Sequence, residues 1–342
     1  MTKKIVVAMS GGVDSSTTAF KLLKNGYEVI GITLAMGRTC DKKAIEDAKK
    51  VASTIGIEHK VLDVNDQFKS NVIDYFINSY LSGETPNPCA VCNKFVKFKI
   101  IIDFMKEINA DFVATGHYAK IINNNGNYEL HKATCLDKDQ SYFLSNLNYE
   151  YLKYIKFPLE DENSKNDVRK NAQEINSYIA NKKDSQGVCF IETDYKKFLA
   201  DNVKSVFKYG EIRHINGKIL GKHNGIVNYT IGQRRGIGVS YGRPIYVVKF
   251  DIENNIVYVG DEKDLYSDNL VIEKLNLLSS LSEDKIYTIK LRSTHMGQSG
   301  KIKLLDNNKA KVNFLEKTRA VTKGQLCCIY DDDLVVGSGW IC

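Results

Sequence analysis

The stretch IVVAMSGGVDSS, residues 5–16, decides the fold. Its apolar opening reads as a buried strand, Ser10-Gly11-Gly12 break the run, and Asp14-Ser15-Ser16-Thr17 begin a helical pattern. A strand, a glycine turn and a helix N-terminus together seat an oxyanion. The glycines allow positive φ and close backbone approach, the serine hydroxyls donate, and the helix dipole adds partial positive charge. Working outward, the helix over 14–24 closes at Gly26, and residues 27–34 read as a second buried strand. Residues 42–54 carry Ile45, Ala48, Val51 and Ala52 at helical spacing, and 59–64 read as a third strand. An amphipathic segment over 67–81, a loop over 82–93, a helix over 94–108 and a fourth strand over 111–115 follow. This alternation predicts a parallel sheet with crossover helices and a ligand at the carboxyl ends of the strands, where the glycine turn and Gly116-His117 both fall.

From about residue 207 helical periodicity fades. Short alternating runs at 245–250, 256–259, 286–291, 301–305 and 310–314 are punctuated by Asn216-Gly217, Glu253-Asn254-Asn255 and Asp306-Asn307-Asn308. With a break near 264–269, the sequence predicts an α/β domain over 1–204, a small β-rich domain over 205–265 and a C-terminal β-barrel over 266–342. A chain of 342 residues is long enough for several cores. At 43% hydrophobic and 26% charged it has a soluble globular composition, and no apolar run approaches the roughly 18 residues needed to cross a bilayer. MTKK is followed by too few apolar residues for a signal peptide, so no membrane association and a cytoplasmic location are expected. A net charge of +7 with a pI of about 8.8 permits a polyanionic partner without specifying one. Eight cysteines in a long chain argue against a disulfide framework and for reactive or metal-binding thiols.

A P-loop that cleaves at the γ-phosphate places lysine directly after its second glycine; here Val13 and Asp14 follow Gly12. SGGVDS instead resembles the PP-loop of the N-type ATP pyrophosphatases, which implies cleavage of ATP between the α and β phosphates and activation of a carbonyl oxygen as an adenylate. Cys89 and Cys92 lie in TPNPCAVCNK, residues 85–94, read as a proline-stiffened loop ending at a helix N-terminus. There the dipole and Lys94 and Lys97 would lower the pKa of Cys92. Cys189 follows a glycine turn in DSQGVCFI, residues 184–191. Two converging thiols suit sulfur transfer, one carrying a persulfide and the other resolving it. Cys89, Cys92 and Cys189 offer an alternative, holding three irons of a four-iron cluster whose fourth iron is open to sulfide.

SGGVDSS, TPNPCAVCNKFVKF, ATGHY, KDQSYFL, DSQGVCFI, GQRRGIGV and KGQL, in this order from residue 10 to 326, resemble the bacterial tRNA-specific 2-thiouridylase family, whose members thiolate the wobble uridine of certain tRNAs. The resemblance implies that Ala8, Met9, Ser10, Gly11, Gly12, Val13, Asp14 and Ser15 hold ATP together with Leu34 and Gly116. Cys92 would be the nucleophile and Cys189 the persulfide carrier, loaded by a donor protein, the two forming a transient disulfide. Asn87, Pro88, Cys89, His117, Lys138, Asp139 and Gln140 would contact tRNA around the target base, and Arg292, Ser293 and Gln325 would touch it elsewhere. On this reading Asp14 would help to organise Mg²⁺, and a monomer would clasp one tRNA. The chain departs from the family pattern in a shorter 35–40 loop, in Leu34 where methionine is usual, and in Cys89 where aspartate or cysteine occurs.

Arg234-Arg235 fits either a solvated turn or a phosphate contact. Cys40, Cys135, Cys327, Cys328 and Cys342 read as ordinary thiols, and the aromatic stretch 142–154 as core. Two other functions fit the PP-loop: an amidating ligase, which needs an ammonia source and no cysteines, and an RNA-binding or iron-sulfur carrier protein with a vestigial nucleotide site.

Overall fold

The computed structural model describes residues 2–37, 41–182, 187–191, 194–203 and 208–342; Cys40, the DSQ of the Cys189 motif and the 38–40 part of the short loop lie outside them. Five strands form a parallel sheet in the order β3 (Glu58–Asp63), β2 (Glu28–Ala35), β1 (Lys4–Ala8), β4 (Phe112–Ala114) and β7 (Ile155–Lys156). Ile5, Val6 and Val7 of β1 are wholly buried because helices cover both faces, as a central parallel strand requires. The chain runs from β1 outward through β2 and β3, then returns to the other side of β1 with β4. The topological switch point therefore lies between β1 and β4, where an α/β sheet opens a crevice at its carboxyl end. Helix α1 (Val13–Lys24) starts there, and α2 (Asp41–Ile55) follows β2.

The β-rich half contains two units. β8 (Gly210–His214), β9 (Ile219–His223), β10 (Tyr246–Asp251) and β11 (Ile256–Gly260) make a four-stranded sheet around Ile212, Val247, Val257 and Val259. β12 (Tyr266–Leu277), β15 (Lys309–Arg319), β14 (Gln298–Leu305), β13 (Tyr287–Lys290), β16 (Leu326–Asp331) and β17 (Leu334–Ile341) pair antiparallel in that order, and the β12–β17 pairing closes them into a six-stranded barrel. Closure leaves no free edge within the ring.

Two features join the barrel to the α/β domain. The hairpin β5 (Lys120–Asn124) and β6 (Asn127–His131) attaches to β17 through Leu334 opposite His131. On β16, Cys327 and Ile329 face the barrel core, whereas Leu326, Cys328 and Tyr330 enter the core that holds Tyr142, Leu144 and Leu147. Both cysteines of this pair are thus packing residues, and Tyr142 is wholly buried with its hydroxyl donating to Leu326 O at 2.7 Å. The aromatic 142–154 stretch is largely core, as its sequence suggests. No helix among the described residues is long and apolar enough to cross a membrane.

Candidate active site

The glycine turn follows its sequence reading at Gly11 but not at Gly12, which is extended with φ −87°. Gly11 has φ +67°, and a Cβ there would fall 2.7 Å from Asp47 Cβ and 2.8 Å from Ala44 O of α2, so both the conformation and the fit demand glycine. Gly12 caps α1 with no side-chain hydrogen bond, leaving the first N–H groups of the helix for an anion. Ser15 Oγ instead accepts the Ser10 N–H at 3.1 Å and pulls the turn tight. Ser16 and Thr18 hydroxyls return to Gly12 O and Asp14 O, so they are spent on the helix. Met9 is fixed by strand pairing: its N–H donates to Ile32 O, and Thr33 Oγ1 donates to its carbonyl. Val13 and Leu34 are buried, whereas Ser10 is exposed at the mouth.

Gly116, after β4, packs directly on this helix start: a Cβ there would lie 2.8 Å from Asp14 C and from Ser15 N. The next residue, His117, reaches the other loop. Its Nε2 faces Lys97 Nζ at 3.5 Å and its Nδ1 meets Thr115 Oγ1 at 2.7 Å, with the ring stacked near Phe98. Because an ammonium only donates, Nε2 accepts and Nδ1 carries the proton. Burial first, and Lys97 second, hold the His117 pKa well below 6.5, so the imidazole is neutral.

Two lysines that carry no motif also converge on the turn. Lys165 Nζ pairs with Asp14 Oδ1 at 2.5 Å, and Tyr118 OH donates to the same oxygen at 2.8 Å. Lys182 Nζ donates to Gly11 O at 2.9 Å and pairs with Asp47 Oδ2 at 2.6 Å. The helix Lys165–Gln173 delivers them: it starts at Ser164, whose Oγ accepts from Asp167 N, and its Arg169 donates to Ala180 O and Lys182 O. The turn therefore has cations at hand, supplied from 151 and 171 residues downstream rather than from within it.

The cysteine segment differs from its sequence reading. Helix begins at Pro88, with Asn87 as N-cap accepting from Ala90 N at 3.2 Å; the helix Pro88–Cys92 runs through a π-turn, Asn93–Lys97, into Phe98–Glu107. Cys92 is thus the fifth helical residue, beyond the first turn where the dipole acts, and that source of thiolate stabilisation is weaker than expected. Lys94 turns away as well, donating to Asn276 Oδ1 of the barrel at 3.1 Å and to Asn146 Oδ1 at 3.4 Å. Lys97 is the cation beside the thiols, acting on Cys89. Cys92 is buried, Cys89 half-buried and Cys189 exposed. Cys189 sits in a turn closed by Ile191 N to Val188 O, anchored by Phe190, whose ring lies 5.7 Å from Phe68 and 5.3 Å from Phe76.

Several residues expected at RNA are engaged within the protein. Asn87 caps a helix, and Asp139 accepts from Ala133 N, Ser141 N and Ser141 Oγ, bracing its own loop. Gln140 exchanges bonds with Tyr118, its Oε1 accepting the Tyr118 N–H at 3.1 Å, which ties the loop to the His117 strand end. Arg292 donates to Thr322 Oγ1 at 2.7 Å and to Ala320 O, and Gln325 donates to Thr85 O and Pro86 O. Pro88 is buried, and Lys138 and Ser293 are exposed. Arg234 and Arg235 are exposed on their turn.

Three family models match in tandem: the tRNA methyl transferase HUP domain over residues 3–193, the tRNA methyl transferase PRC-barrel domain over 196–261 and the aminomethyltransferase beta-barrel domain over 267–341. The tRNA-specific 2-thiouridylase MnmA of Rickettsia typhi is 47% identical to this chain, covering 98% of each. Its counterpart in Orientia tsutsugamushi is 45% identical over 98% of this chain and 95% of its own. The chain belongs to the tRNA-specific 2-thiouridylase family.

This 2-thiouridylase family member gathers no group of three or more His, Cys, Asp or Glu able to hold a metal ion among its described residues. Cys89, Cys92 and Cys189 are thus not gathered as a ligand set for a cluster in this arrangement. For Mg²⁺, the carboxylate at hand is Asp14, which is committed to Lys165 and Tyr118. Burial and the neighbouring Cys189 push the Cys89 thiol up, Lys97 opposing them. A raised pKa keeps Cys89 protonated at neutral pH, so its alkylation in the RNA-free protein should still be accelerating above pH 9.0, the ordinary thiol value. Peptide mapping after alkylation at stepped pH measures this; a plateau below pH 9.0 would contradict the environment described.

Proposed function

We infer that this chain is an ATP-dependent tRNA 2-thiouridylase acting on the wobble uridine. One observation carries the reading: Gly116 and His117, adjacent in sequence, touch the start of α1 on one side and Lys97 of the thiol helix on the other. On this reading phosphate chemistry and sulfur chemistry share one crevice.

The uracil C2 oxygen attacks the α-phosphorus of ATP and pyrophosphate departs, converting a poor leaving group into AMP. The first N–H groups of α1 receive the phosphates, and Lys165 and Lys182, held at the turn by Asp14 and Asp47, exchange those partners for phosphate oxygens when ATP enters. The outer sulfur of a Cys189 persulfide, loaded by a donor protein, then bonds to C2 and AMP leaves. Cys92 thiolate attacks the Cys189 sulfur, breaking the S–S bond; the electron pair goes to the sulfur on the base, giving 2-thiouridine and a Cys92–Cys189 disulfide. A thiol reductant supplies two electrons to reopen it. Neutral His117 is suited to a hydrogen bond with the flipped base, which must leave its stack to enter the crevice. The protein works as a monomer in the cytoplasm.

Pyrophosphate release that depends on unmodified tRNA tests the first half. Lys165→Met should weaken ATP binding by about tenfold or more, the scale of a charged hydrogen bond, with tRNA affinity unchanged. Titration with a fluorescent ATP analogue measures it, and an unchanged Kd would remove Lys165 from the phosphate site.

A further inference from the structure

The barrel turn over residues 320–325 grips the segment that leads into the cysteine helix. Thr85 N donates to Lys323 O at 2.9 Å, and Gln325 Nε2 donates to Thr85 O at 3.0 Å and to Pro86 O at 3.1 Å. Gly324, at φ +82°, lies so close that a Cβ would fall 2.8 Å from Glu84 Cβ and 3.0 Å from Thr85 O. On the opposite flank, a Cβ at Gly83 would fall 2.4 Å from Ile252 Cδ1, in the turn between β10 and β11 of the middle unit. The segment is thus held from both β units, immediately before Asn87 caps the helix that carries Cys89 and Cys92.

The turn is itself fixed. Arg292 donates to Thr322 Oγ1 and Ala320 O, Thr322 Oγ1 donates to Ala320 O at 2.9 Å, and Gln325 N donates to Thr322 O at 3.3 Å. Burial lowers the Arg292 pKa without neutralising a guanidinium. A second tie lies past the helix start: Asn276 of β12 accepts from Lys94 and donates to Ser145 O and Leu147 O. A hydrogen-bonded path therefore runs from Arg292 through the turn and Gln325 to the helix bearing both thiols.

We propose that this turn is a brace that positions the cysteine helix for sulfur transfer, with Gln325 a positioning residue that acts whether or not RNA is bound. The proposal rests on the thiouridylase reading for its purpose but not for its geometry. Catalysis is sensitive to misplacement on the ångström scale, so a loosened helix should lower turnover more than it lowers RNA binding.

The test uses the full chain with Gln325→Glu, which keeps the shape, loses both donors and sets a carboxylate against two carbonyls. In the RNA-free protein, labelling of Cys92 by iodoacetamide should rise about tenfold, with Cys327 and Cys328 unlabelled, because loss of two hydrogen bonds opens the segment locally. Gly324→Ala should give the same pattern, and Gln325→Lys, which retains a donor, should restore protection. With tRNA and ATP, Gln325→Glu should lower kcat about tenfold while KM for tRNA stays within about threefold. Unchanged Cys92 labelling with a raised KM for tRNA would make Gln325 an RNA contact and overturn the brace; labelling of all three cysteines together would mark general unfolding and also overturn it. Labelling needs neither ATP nor tRNA, so it stands if thiolation fails, whereas absence of 2-thiouridine from the unaltered protein counts against the thiouridylase reading alone.

Discussion

Cys189→Ser should reduce 2-thiouridine formation by roughly 10³-fold or more while tRNA-dependent pyrophosphate release persists within a few-fold. A serine oxygen carries no persulfide, so the reaction stops after adenylation, with the activated tRNA left to hydrolyse. The exposed position of Cys189 makes the substitution structurally mild, within about 0.5 kcal/mol of stability, since Phe190 rather than Cys189 anchors the turn. Measuring pyrophosphate and 2-thiouridine in the same reaction separates the steps. Loss of both products would place Cys189 in adenylation, and loss of neither would show that sulfur reaches the base by a route that does not pass through this residue.

Gly116→Ala should have the second largest effect, on the opposite half-reaction. Its Cβ would fall 2.8 Å from Asp14 C and Ser15 N, both backbone atoms at the start of α1. Neither can give way as a flexible side chain would, so the helix start and the β4 end must part. Overpacking of this kind costs about 1–3 kcal/mol, and shifting the phosphate seat relative to His117 should slow pyrophosphate release about 10²-fold. Single-turnover release, checked against a thermal melt that shows the variant folded, measures it. A rate within threefold of the unaltered protein would mean that the crevice tolerates separation of its two halves.

The strand, glycine turn and helix start were legible because every signal for them is local: apolar run, two glycines, hydroxyl-rich helix start. Lys165 and Lys182 were not, since only tertiary packing of a helix far downstream brings them to Asp14 and Gly11. The start of the cysteine helix was misread although a signal existed: Asn87-Pro88 is an N-cap followed by proline at the first helical position. The β5–β6 hairpin had its own mark in Asn125-Gly126, with φ positive at both residues. Lys94 is close to Cys92 in sequence, but its partner Asn276 lies 182 residues away, beyond any periodicity. The alternating runs announced a β-rich half, whereas closure of the barrel by β12 on β17 depends on long-range pairing.

The most direct measurement of the central claim is anaerobic incubation of the purified protein with ATP, Mg²⁺, unmodified tRNA and a persulfide donor, followed by digestion and mass spectrometry of the nucleosides. The account predicts 2-thiouridine at the wobble position, formed by protein without iron and matched by pyrophosphate and AMP. No 2-thiouridine under these conditions, or its appearance only after an iron-sulfur cluster is reconstituted, would contradict the persulfide route through Cys189 and Cys92.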